Sequence, residues 1–224
     1  MKKQLIISIG TGRCGSVSLS KFLSSQKSIN FLHEGRLVSH NIRRLIKWDD
    51  DHENLFNWID FLINLDHNKF VGDTGMYYLP YIEKIIEKYP NVKVIVMERK
   101  KNEVVNSYLK KTQGRNHWYD HNGNGWEIDN KWDPCFPKYD ISEKRMALEK
   151  YWDEYQSLSS DLIKKYPKTI KKWTIESFNS SNVKNEILDF INYKLEREID
   201  KDFKHNTKLK SQKETILNKI KKWF

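Results

Sequence analysis

Short apolar runs that end in turns alternate along this chain with stretches of helical period. The runs predict strands at Gln4–Ile9, Ile29–Leu32, Lys69–Gly72, Val92–Met97 and Thr169–Ile175. Between them the spacing predicts helices over Ser16–Ser25, parts of Ser39–Leu65, Leu79–Lys88, Asn102–Lys111, Ser142–Lys165 and Val183–Asn192. In the longest of these, Tyr151, Tyr155, Leu158 and Leu162 recur at i, i+4, i+7 and i+11, and Asp140 with Glu143 is expected to cap it as a capping box. Strands alternating with helices imply an α/β fold with a mainly parallel sheet.

Two segments break the pattern. Residues 112–139 have little periodicity, yet Thr112–Pro137 holds three Gly, two Pro, two His and three Trp. A loop this long in a compact domain is expected to be a lid or a binding loop. Its aromatic residues either stack on a ligand or plug an open edge of the domain. The tail, 205–224, carries Ser211 and Glu214 as a capping box, then Ile216, Leu217, Ile220, Trp223 and Phe224. It reads as a basic amphipathic helix, expected to pack on its own domain rather than on a membrane surface.

Composition narrows the class. The 224 residues fit one domain, 1–224, with enough apolar (38%) and aromatic (13%) content for a sizeable core. The mean hydropathy of −0.79 and the absence of a long apolar run exclude a membrane span. Met1-Lys2-Lys3 opens like a signal sequence, but the apolar run stops at a glycine turn and reads as a strand. Two cysteines make no disulfide framework, which suits a reducing cytoplasm. The net charge of +10 fits a polyanionic partner or a codon bias toward Lys; no nucleic-acid motif is present, so nucleic acid is not expected.

The chemistry starts at Gly10-Thr11-Gly12-Arg13-Cys14-Gly15-Ser16. Gly10 and Gly15 have the spacing of a phosphate loop, but Ser16 and Val17 stand where a nucleotide-triphosphate loop has Lys and then Ser or Thr. A strand, a glycine turn and a helix bring free amides and the positive helix end to one point, and Arg13 adds a fixed cation. Cys14 at that helix start is either a thiol of lowered pKa or a small residue the loop tolerates. A second element, Val92 to Arg99, ends a buried strand in Glu98-Arg99 rather than in a magnesium-binding Asp, and Ser107 follows eight residues after the arginine. That pair predicts a second phosphate site, not a metal site.

Gly12-Arg13-Cys14-Gly15-Ser16 before a helix, with Arg99 and Ser107 at this spacing, resembles the sulfotransferases that use 3′-phosphoadenosine 5′-phosphosulfate (PAPS). Val71-Gly72-Asp73, Tyr78-Leu79-Pro80, Glu149 to Trp152 and Thr174 to Phe178 are similar to later parts of the same family, so the likeness covers about residues 3–195. The resemblance implies a single P-loop NTPase-like α/β domain. It implies that Thr11, Gly12, Arg13, Cys14, Gly15, Ser16 and Val17 bind the 5′-phosphosulfate and that Arg99 and Ser107 bind the 3′-phosphate. Arg13 would also stabilise the leaving phosphate, and 3′,5′-adenosine bisphosphate (PAP) would be the other product, with no metal.

For the catalytic base, Glu34 matches the Golgi and tyrosylprotein type, Asp73 matches the place of the cytosolic type's histidine, and His33 is third. Two cytosolic features are missing. Ser18 stands where that type has a Trp that stacks on adenine, and its late Arg-Lys-Gly loop is absent, with Lys208 or Lys210 as possible replacements. His117 and His121 have helical metal spacing but no carboxylate or Cys support, so no metal is expected. The acceptor, a small molecule or saccharide bearing a hydroxyl or amine, is expected to sit between 35–66 and 112–139. The rival readings are a P-loop-like kinase or NTPase and a nucleotide- or polyanion-binding protein without catalysis. The sequence does not reveal the oligomeric state.

Overall fold

In the computed structural model, residues 3–37, 42–65 and 67–199 are described. Five parallel strands form the centre of one sheet: β1 (Gln4–Ile9), β2 (Ile29–His33), and further on Phe70–Thr74, Lys93–Glu98 and Ile170–Thr174. Two short strands, β3 (Arg36–Leu37) and β4 (Ile42–Arg43), extend it antiparallel at one edge, which makes the later three β5, β6 and β7. The order is β4-β3-β2-β5-β1-β6-β7.

The central strands are apolar on both sides because both sides are covered. In β1, Leu5, Ile7 and Ile9 face one core while Ile6 faces the other. In β6, Val94 and Val96 join the first core, and Ile95 and Met97 the second. This is the two-residue alternation of a strand. The first core is closed by α2 (His52–Asn64), α3 (Ile82–Lys88), α4 (Lys101–Lys111) and α5 (Lys144–Lys165); the second by α1 (Ser16–Ser24) and α6 (Ser181–Phe190).

Several expected boundaries shift. β5 runs two residues past Gly72, so Asp73 and Thr74 belong to the strand and pair with Ile7 and Ser8 of β1. The helix expected from Leu79 begins as a 3₁₀ turn over Met76–Tyr81, with Pro80 inside it, and becomes α-helical at Ile82. Pro80 lacks the N–H for an internal α-helical bond, which accounts for the delay. Glu143, not Asp140, caps α5: its carboxylate accepts from the N–H groups of Arg145 and Met146. The β2–β3–β4 hairpin was not expected at all. The amphipathic helix expected over 205–224, including Lys208 and Lys210, lies outside the described residues.

The C-terminal ends of the five parallel strands share one edge of the sheet. There β1 and β6 are neighbours whose following connections run to opposite sides, which is where ligand crevices form in open α/β sheets.

Candidate active site

The loop after β1 is built around three left-handed residues: Gly12 (φ 75°), Arg13 (φ 57°) and Gly15 (φ 96°). A Cβ on Gly12 would land on the Tyr108 hydroxyl, and one on Gly15 would strike Ile175, so both positions require glycine for space as well as for φ. Arg13 has no such excuse and holds a sparsely populated conformation, as residues of functional loops do. Tyrosines fasten the loop from beneath. Tyr108 and Tyr151 hydroxyls donate to the Thr11 carbonyl at 2.8 and 3.1 Å, and the Gly10 N–H donates to Tyr155 at 2.9 Å.

Gly15 is the N-cap of α1 and offers no side chain to its first amides. Ser16, Val17 and Ser18, the first helical residues, all line a cavity of about 750 Å³. An uncapped helix start opening on a cavity is a place for an anion. Thr11 and Cys14, within the loop, have buried side chains and do not line the cavity, so only their backbone can serve a ligand. Burial pushes the Cys14 thiol up to about 11, which selects the space-filling role over the reactive one.

Arg13 and Arg99 reach this cavity from the ends of β1 and β6. Arg13 Nε donates to Ser107 Oγ at 2.9 Å, and Arg99 Nη1 donates to the Arg13 carbonyl at 3.1 Å. The two residues of the expected second phosphate site therefore both hold Arg13. Arg99 also pairs with Glu103 at 2.7 Å, Arg43 with Glu34 at 2.6 Å, and Arg115 with Asp129 at 3.0 Å. Among the described residues Arg13 is the one arginine of the cavity wall with no carboxylate partner.

The carboxylate candidates separate sharply. Glu34 lines the cavity; it sits with Gly35 in a two-residue turn between β2 and β3, with φ of 52° and 62°. Two positive φ values are the type I′ hairpin geometry, and a Cβ on Gly35 would collide with the Arg44 carbonyl. The turn brings Arg43 of β4 back onto Glu34, and Arg43 also lies over the Trp132 ring, 4.9 Å from its centroid. Asp73 lies behind the cavity wall, fully buried. Its oxygens accept from Gly35 N–H and Thr74 N–H, each at 2.9 Å, and from the Tyr78 hydroxyl at 2.7 Å. Burial pushes its pKa up to about 7 against those three donors. Asp73 thus shapes the Glu34–Gly35 turn from below and does not face the cavity.

His33 joins the loop to the turn. Its Nε2 is 3.0 Å from Ser16 Oγ and its Nδ1 is 3.7 Å from Glu34. Burial lowers its pKa, with the Glu34 charge opposing.

Residues 112–139 fold against the domain in part as plug and in part as wall. Trp118 is fully buried against Tyr108, Phe136 and Tyr151, while Trp132 and Phe136 line the cavity. Lys144, its charge destabilised by burial so that its pKa falls to about 8, donates to the Thr112 carbonyl at the start of this segment. No group of three or more His, Cys, Asp or Glu suited to a metal occurs among the described residues. None of the described helices is long and apolar enough to cross a membrane. Sequence reasoning missed Arg43 and the His117–Asp133 contact, since both depend on long-range pairing.

A sulfotransferase-domain family model matches residues 5–221. A solved sulfotransferase from Alicyclobacillus acidocaldarius shares the fold with a TM-score of 0.52 at 14% identity, over 92% of this chain and 87% of that one. No curated protein matches the chain in sequence.

Proposed function

This chain belongs to the sulfotransferase-domain family, and from that premise we propose that it moves a sulfuryl group from PAPS to a hydroxyl or amine of a small-molecule or saccharide acceptor. One observation carries the reading. The uncapped start of α1, Arg13 without a carboxylate partner, and Glu34 line a single cavity at the strand ends. The donor set fits a nucleotide with phosphates at two positions: loop amides and Arg13 for one, and Arg99 for the other, with Ser107, which is off the cavity wall, holding Arg13 between them.

When bound, PAPS supplies the sulfuryl group and a phosphate leaving group. Arg13, tethered by Ser107 and by its own carbonyl to Arg99, holds a cation where negative charge grows as the S–O bond breaks. A cation fixed before the reaction stabilises that charge without reorganisation. Ser16 adds a hydroxyl at the same helix end. Glu34 accepts the proton of the attacking acceptor group, which must lie in line with the breaking bond. Arg43 and the strained turn orient the Glu34 carboxylate, and His33, kept neutral by burial at pH 7, ties that turn to the phosphate loop. No metal enters this scheme. Two buried free cysteines agree with a reducing, cytoplasmic setting.

Calorimetric titration with PAP, beside ATP with magnesium, tests the reading on wild type and Arg99→Ala. PAP should bind, and Arg99→Ala should weaken it by about 1.5–3 kcal/mol, the range of a charged hydrogen bond. ATP binding that needs magnesium, without PAP binding, would return the loop to a kinase-like reading. PAP binding with no transfer to any acceptor, and no effect of Glu34→Gln, would make the chain a binding protein.

A further inference from the structure

A second side-chain pair, His117 on the wall of the same cavity and its partner Asp133, has no part in that scheme. His117 Nδ1 and Asp133 Oδ1 are 2.6 Å apart, joining the two limbs of the 112–139 segment. The His117 ring lies flat on Phe136, with centroids 5.3 Å apart and planes within 9°. Trp118 meets it edge on, and Lys138 Nζ donates to its carbonyl at 2.8 Å. Asp133 is itself held, because its other oxygen accepts the Asp129 N–H at 2.7 Å.

This arrangement sets the tautomer. A carboxylate oxygen only accepts, so Nδ1 carries the proton and Nε2 keeps a lone pair. His117 is part of the cavity wall, and Nε2 has no protein partner among the described residues. A mere tie within the loop needs the Asp133 contact but does not need His117 to be part of the cavity wall with a ring nitrogen unpaired.

We infer that His117 Nε2, oriented by Asp133, is a binding site for the sulfuryl acceptor, taking an O–H or N–H other than the one Glu34 deprotonates. The inference rests on the sulfuryl-transfer reading above. Two hydrogen-bond acceptors on one cavity wall, Glu34 and His117, select an acceptor molecule with at least two donors. A polyhydroxylated or amino sugar fits this description; a simple phenol does not. Burial, which lowers the His117 pKa, keeps the lone pair free near neutral pH.

Asp133→Asn inverts the arrangement. The Asp129 N–H claims the amide oxygen, the NH₂ faces Nδ1, and the ring proton moves to Nε2. The test titrates the PAP-loaded protein with a panel of glycosides, their monodeoxy analogues and monohydric phenols, with calorimetry and saturation-transfer NMR as readouts. Wild type should bind at least one glycoside in preference to the phenols. Asp133→Asn and His117→Phe, which keeps the stack on Phe136, should each weaken that glycoside tenfold or more while PAP affinity stays within twofold. Nitrogen-15 spectra of histidine-labelled protein should show Nδ1–H in wild type. The inference is overturned if Nε2 carries the proton in wild type, if no glycoside binds, or if phenols bind in preference. It is also overturned if the variants lower only the melting temperature. If PAP does not bind, the donor reading fails instead, and the tautomer spectrum, which needs no ligand, still separates the two failures.

Discussion

Arg13 and Ser107 lie 94 residues apart in the chain and meet in one hydrogen bond, Nε to Oγ at 2.9 Å. The bond crosses from the loop after β1 to the middle of α4. It fixes the guanidinium at its Nε edge and leaves the two terminal nitrogens for a ligand, one of which is enough for a phosphate oxygen.

Removing that tether should cost phosphate affinity through Arg13. Ser107→Ala is expected to weaken PAP binding by about 1–2 kcal/mol. A double-mutant cycle with Arg13→Ala should show a coupling of at least ~0.5 kcal/mol, since the two side chains touch. Additive losses would mean that Ser107 acts on the ligand independently of Arg13.

Glu34→Gln keeps size and the Arg43 contact but cannot take a proton. Turnover should fall by about 10²–10⁴-fold, the range for a positioned general base, with PAP affinity unchanged. Arg43→Ala should lower turnover less, because it loosens the orientation of Glu34 and leaves its chemistry. Steady-state kinetics with an identified acceptor decides both; equal turnover of Glu34→Gln and wild type would exclude Glu34 as base.

Two glycines separate strain from crowding. Gly125 (φ 77°) has open space where a Cβ would stand, so Gly125→Ala carries the cost of positive φ alone, about 1–2 kcal/mol. Gly35→Ala adds a collision with the Arg44 carbonyl and should be clearly the less stable of the two in urea unfolding. It should also displace Glu34 and depress turnover, which Gly125→Ala should not.

Asp73 makes a prediction about pH. Its folded pKa of about 7 stands above the ordinary carboxylate value of about 3.9. The folded chain therefore keeps a proton that the unfolded chain loses first, and this group's contribution to stability falls as pH rises from about 4 to about 7. Asp73→Asn lacks that titration. Wild type should exceed the variant in stability most at pH 4, and the gap should narrow toward pH 7. A gap that widens over this range would place the folded pKa below the unfolded one.

Local pattern was sufficient for the five parallel strands and for the helices that cover them, because burial on both faces and helical period are written in neighbouring residues. It also marked the glycine loop, Arg13 and Arg99, since strand ends in an open α/β sheet converge on one edge wherever the strands are parallel, but that Ser107 of α4 meets Arg13 was decided by the fold. What local pattern left open was the choice among carboxylates. Glu34 and Asp73 are alike as residues in a string; β5 running two residues further buries Asp73 under three donors, while the type I′ turn lifts Glu34 to the cavity. The β3–β4 hairpin, Arg43 over Trp132, and the His117–Asp133 contact were equally hidden. Strands of two residues carry no period, and a contact between side chains distant in the chain exists only once the sheet has brought their backbones together.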